Sequence, residues 1–173
     1  PGDTSAYIGP FPFTTLFAYD VGVINILSPM SGCNLSATSI IEFDIFNFGG
    51  IPQTLTPMGV SINGIPQSIN QPNDGVFTGV LGTDSTFTFK FDRTFNFSEP
   101  GEYTITVYTQ LEEDSVLDND TTSITIFSAP TIVDFPYEEG FEEDDAFWAV
   151  DDVNQLSSWD YGRPEATLIN QAA

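Results

Sequence analysis

Apolar and polar side chains alternate along much of residues 85–127. In STFTFKF, residues 85–91, Phe87, Phe89 and Phe91 fall on one side, and Thr86, Thr88 and Lys90 on the other. In EYTITVYTQL, residues 102–111, Tyr103, Ile105, Val107 and Leu111 share a side, with Thr104, Thr106 and Tyr108 opposite. A period of two predicts strands with one face in a core and one in water. Further strands are predicted over 21–27, 39–47, 58–63 and 121–127, and a weaker one over 75–81. Asn63-Gly64 suits the positive φ angles of a two-residue hairpin, folding 65–69 back on 58–62. Pro66 would make that return strand an edge. Helical periodicity is nearly absent.

About seven short strands with turn residues between them predict an all-β fold, an immunoglobulin-like antiparallel sandwich. EPGEY, residues 99–103, adds a Pro-Gly turn leading into a strand. There Tyr103 either hydrogen-bonds backward as a tyrosine corner or serves as an ordinary amphipathic strand residue. The texture changes after 128, where prolines give way to acids interleaved with aromatics, including both tryptophans, Trp148 and Trp159. The expected organisation is a connector or the tail of a preceding module over 1–18, the sandwich over 19–128, a linker over 129–134, and the start of a second module over 135–173. Neither PGDTSAY nor NQAA reads as a natural terminus, so the chain is taken as a piece of a longer protein.

Charge narrows the function classes. The 173 residues carry 25 acids against Lys90, Arg93 and Arg163, with no histidine, for a net charge of -22. Such a surface repels nucleic acid and anionic lipid, because phosphate binding needs Lys and Arg. No apolar run is long enough to insert in a membrane. Without histidine there is no Ser–His or Cys–His nucleophile and no ordinary zinc site. Glu42 and Asp44 share a strand face as a carboxylate pair does, yet acids spaced by two on a half-wet strand read as a solvated face, so no enzyme is expected. The single cysteine, Cys33, cannot form an internal disulfide, and is read as a small buried apolar residue rather than a reactive thiol.

Two segments resemble a known family. DVGVINILSPMSGCNLSATSIIEFDIFNFGG and EPGEYTITVYTQLEEDSVLDNDTTSITI are similar to the bacterial cell-adhesion-related domain abbreviated CARDB. The matching features are Asp20–Val23, Pro29–Leu35, Asn47–Gly49, Gly101–Tyr103 and Asp114–Asp120. The tail, FPYEEGFEEDDAFWAVD with SSWDYGRPEATLINQAA, resembles the opening of a MAM- or concanavalin-like jelly roll of secreted Bacteroidota proteins. These resemblances imply an extracellular or cell-surface spacer and adhesion module of a large bacterial protein. They also imply type IX secretion and gliding motility as its setting. Its partners would then be neighbouring modules of the same chain, glycans, or secretion and motility machinery. The competing reading is a carbohydrate-binding or accessory module of a secreted hydrolase.

The turn LEEDSVLDND, residues 111–120, holds five carboxylates in ten positions. One reading is a solvated loop. Another is a calcium site, the one cofactor considered, in which Asp114, Asp118, Asn119 and Asp120 supply oxygens. It lacks the central Gly and terminal Glu of an EF-hand. A third is O-glycosylation, since an Asp–Ser/Thr–aliphatic or Thr pattern in Bacteroidota proteins matches Ser85, Ser115 and Thr121. Trp148 and Trp159 are candidates for a sugar platform, or for a core. The acids from Glu138 to Asp152 read as a linker, a strand boundary or a second calcium site.

Overall fold

A computed structural model describes residues 17–68, 74–138 and 140. Its strands are β1 (Val21–Ser28), β2 (Gly32–Cys33), β3 (Glu42–Asn47), β4 (Gln53–Ile62), β5 (Ile65–Pro66), β6 (Val76–Leu81), β7 (Thr86–Lys90), β8 (Gly101–Thr109) and β9 (Thr121–Ala129). One sheet has the order β1-β3-β7. The other has the order β2-β9-β8-β4-β5, with β6 also paired to β4. The chain crosses between the sheets at β1–β2, β2–β3, β3–β4, β6–β7 and β7–β8, and β4 and β8 pair antiparallel, as do β8 and β9. This is an immunoglobulin-like sandwich, and the described residues contain no helix.

The alternation does what the sequence predicts. Along β3, Phe43 and Ile45 are buried while Glu42 and Asp44 are only partly so. From the facing sheet, Met58, Val60, Ile105, Val107 and Ile126 complete the core. Full burial of side chains of this kind is worth about 1.5–3 kcal/mol each. Rings of Phe43, Phe89 and Phe91 lie 5.4–5.6 Å apart, and Phe95 adds an edge contact to Phe91 at 5.8 Å. On β8 the inward row continues through Thr109, a polar residue that is 4% exposed. Its hydroxyl donates to Val21 O at 2.7 Å, which satisfies it inside the core.

Two turn readings hold. Asn63 and Gly64 have φ of 50° and 75°, and Ile62 pairs with Ile65 across them. Tyr103 forms the corner: its hydroxyl donates to Glu99 O at 2.9 Å, and its ring meets Phe97 edge-on.

Two side-chain readings are corrected. Cys33 is exposed, not buried. It lies on β2, a two-residue edge strand beyond β9, where the sheet has no further neighbour. Phe87 does not share the burial of Phe89 and Phe91; it is 43% exposed. β7 is the margin of its sheet, and the Phe87 ring packs sideways on Phe77 of β6, 4.6 Å between centroids. β4 is also longer than the predicted 58–63. Its first half pairs with β6 around an irregularity at Leu55, whose φ of 54° is rare for a bulky residue. Holding a leucine there costs on the order of 1–3 kcal/mol.

β1 and β9 run in the same direction. Val23 N donates to Asn119 O at 3.0 Å, and the Thr122 hydroxyl donates to Val23 O at 2.6 Å, so both strands start at one end. At the other end Asn34 N donates to Ala129 O at 2.7 Å. The chain therefore enters the sandwich at Asp20 and leaves it at Ala129, at opposite ends.

Candidate functional site

The acidic turn closes the end of the sandwich where β1 begins. Asp114 uses both carboxylate oxygens on backbone donors, Val21 N at 2.8 Å and Val116 N at 2.9 Å. Asn119 donates its amide to Asp20 Oδ1 at 2.8 Å, and Asp120 Oδ1, 3.1 Å from the Thr109 hydroxyl, shares that hydroxyl's one hydrogen with Val21 O. Asn119 Oδ1 is buried without a hydrogen-bond partner. Asp118 is exposed.

Three of the four candidate calcium ligands thus hold β1, β8 and β9 together. Among the described residues, no three Asp, Glu, Cys or His side chains are placed to hold a metal ion. Burial raises the pKa of Asp120 above its ordinary value. The Thr109 hydrogen bond opposes that rise, and the charges of Asp114 and Asp20 add to it.

The motif residues of the opening strands have structural employment. Buried Asn47 donates to Ile51 O and Leu81 O at 2.9 and 3.0 Å, and accepts from Gly49 N at 2.9 Å. Asp20 O accepts from Phe48 N and Gly49 N. Asn47–Gly49 is therefore a staple between β3, β6 and the start of β1.

The other candidates are scattered. The Ser85 hydroxyl, half-buried, donates to Thr83 O at 3.2 Å. Ser115 and Thr121 are exposed. Glu42 and Asp44 are partly buried on the outer face of β3, where Asp44 Oδ1 accepts from Thr88 at 2.6 Å. Trp148 and Trp159 lie outside the described residues, as do most of 134–152.

Two features had no signal in the alternation. The first is an ion pair: Arg93 Nε stands 3.1 Å from Asp74 Oδ2, at an angle outside hydrogen-bond range. Its guanidinium lies over the Phe95 and Phe91 rings and donates to Gln67 O and Ser68 O. Asp74 Oδ1 accepts from Asp92 N at 3.3 Å. This pair anchors both ends of the β5–β6 connection and offers no reactive group.

The second is an open groove of about 590 Å³, lined among others by Tyr19, Ile51, Leu55, Leu111, Glu112 and Glu113. Tyr19 has its pKa raised, first by its hydrogen bond to Glu113 and then by that carboxylate's charge. The positive φ of Leu55 is set by pairing around the irregularity, which residue type does not reveal.

No family model matches the chain, and no curated protein matches it. Solved structures similar to it include the CARDB domain of a Pyrococcus furiosus protein, crystallised in complex with di-metal ions. That structure is 22% identical and has a TM-score of 0.49 over 68% of this chain and 95% of that one. The solution structure of the same domain is 18% identical, with a TM-score of 0.46 over 66% of this chain and 97% of that one. The immunoglobulin-like assignment rests on strand order, register and the Tyr103 corner.

Proposed function

We propose that this chain is a non-enzymatic spacer and adhesion module of a large bacterial surface protein, placed outside the cell between neighbouring modules. The observation that carries the proposal is the parallel run of β1 and β9. Because the chain enters at Asp20 and leaves at Ala129, at opposite ends, such modules string in line. Tension between those points shears the β1–β2 segment against β9 and the turn before it, loading Val23–Asn119, Thr122–Val23 and Asn34–Ala129 together. Bonds loaded in parallel share the force, whereas a hairpin pulled from one end opens bond by bond. The negative charge supports the same role, since it opposes association of neighbouring copies.

Type IX secretion and gliding motility, in a Bacteroidota setting, belong to this proposal through the resemblance of Asp20–Val23, Pro29–Leu35, Asn47–Gly49, Gly101–Tyr103 and Asp114–Asp120. They are checked by the sorting region of the full-length parent. The mechanical core of the proposal is checked by single-molecule force spectroscopy. Handles at Phe17 and Thr131 load the parallel strands. Handles at Glu99 and Thr131 unzip β8 from β9, because Gly101 and Ser128 are paired near that end. The first geometry is expected to hold to the higher force, and Thr122→Val to lower that force while leaving the second unchanged. Equal forces in the two geometries would remove the spacer reading.

A further inference from the structure

We propose that the groove between Leu55 and the Glu112–Glu113 pair docks a cationic, apolar segment of another protein, with an Arg or Lys side chain seated against the two carboxylates. The inference goes beyond the spacer reading, because a module can bear tension and bind nothing.

Two independent features carry it. The first is Leu55. A bulky residue at a φ of 54° is strained, and the irregularity between Thr54 and Thr56 that sets this φ turns the side chain outward. Here the leucine is 64% exposed and lines the groove, so its side chain gains little from its own fold. Ile51 and Leu111, beside it in the lining, extend the apolar floor, and an apolar surface of this kind gains on being covered.

The second is charge. Glu112 and Glu113 are exposed at the rim, with no cation paired to either among the described residues. Tyr19 lines the same groove as Glu112 and Glu113, which brings an aromatic ring to the carboxylates' side of it. A ring and two carboxylates in one groove suit a guanidinium or ammonium whose aliphatic stem lies on leucine.

The partner is not a second copy of this chain. With a net charge of -22 the copies repel, and the chain has only Lys90, Arg93 and Arg163 as cations. Arg93 is already held by Asp74. Repulsion between copies and the scarcity of cations in these 173 residues favour another protein as the source of the complementary charge.

The test titrates the full chain with two ten-residue peptides of alternating sequence, Leu/Arg and Leu/Glu, at 150 mM salt. At that ionic strength the Debye length is about 8 Å and distant charge is largely screened. The Leu/Arg peptide is expected to bind and the Leu/Glu peptide not to. Leu55→Gly removes the side chain at a φ that glycine adopts freely, so the thermal midpoint should hold or rise while affinity drops about tenfold or more.

Glu112→Gln with Glu113→Gln should weaken binding to a similar extent. Glu42→Gln with Asp44→Asn removes the same charge from another face and should leave affinity within about twofold. Loss of affinity with Glu42 and Asp44 equal to that with Glu112 and Glu113 would overturn the proposal in favour of general attraction to an acidic surface. So would binding untouched by Leu55→Gly. Binding of neutral oligosaccharide at this groove, with neither peptide bound, would overturn it in favour of sugar recognition.

Discussion

Asp120 carries a charge the fold disfavours. Burial, with Asp114 and Asp20 nearby, raises its pKa above the ordinary 3.8. A carboxyl whose folded pKa lies above its unfolded one favours folding while protonated. That contribution is full below the unfolded pKa and is lost as pH rises through the folded one. Asp120→Asn keeps the acceptor for Thr109 and removes the charge. Its thermal midpoint should therefore exceed the wild type's at pH 7, and the difference should vanish by about pH 3.

Arg93 presents the opposite case. The Asp74 side chain is 1% exposed, so Arg93→Ala leaves a buried carboxylate without its partner, at an expected loss of about 3–5 kcal/mol in urea unfolding. Replacing both, Asp74→Leu with Arg93→Met, should recover most of it. Tyr103→Phe should cost only about 1 kcal/mol, one hydrogen bond's net worth. Of these residues only Tyr103 was legible in advance, because Pro100-Gly101 sets a turn between Tyr103 and its acceptor Glu99, four residues earlier. The duties of Asp114 and Asp74 depend on partners 93 and 18 residues away along the chain, and local pattern carries no such distance.

At the scale of the element, period-two patterning located most of the strands, since sheet geometry leaves alternate residues on opposite faces whatever the topology. It failed where an edge or an irregularity intervenes. β2 is two residues long, β4 has a bulky residue at positive φ inside it, and Phe87 lies at a margin where inward no longer means covered. Gly59 shows what pattern hides inside a correctly placed strand. It pairs directly with Tyr108 across β4 and β8, and a Cβ there would meet the tyrosine ring. The ring lies over the bare backbone and covers a position where glycine would otherwise weaken the strand. Gly59→Ala should destabilise by about 1–3 kcal/mol through that overlap. In a Tyr108→Ala background the same change should be nearly neutral or stabilising. A double-mutant cycle giving no coupling would remove the account.

For the whole molecule, charge and topology act at different ranges. The core and the staples at Asn47, Thr109 and Tyr103 work over a few ångströms, while -22 charges act over a Debye length. Among the described residues Arg93–Asp74 is the ion pair, so attraction offsets little of the repulsion among carboxylates. Folding brings those carboxylates closer than they stand in the open chain, so the compact state bears the greater self-repulsion. Salt should then stabilise. Raising NaCl from 10 mM to 0.15 M shortens the Debye length from about 30 Å to about 8 Å, and the thermal midpoint should rise by a few degrees, roughly 1 kcal/mol for a domain this size. Choline chloride at equal ionic strength should do the same, because screening depends on charge and not on ion type. A midpoint that fell with salt would mean that attractive pairs outweigh repulsion, and the negative surface could then no longer be the feature keeping neighbouring modules apart.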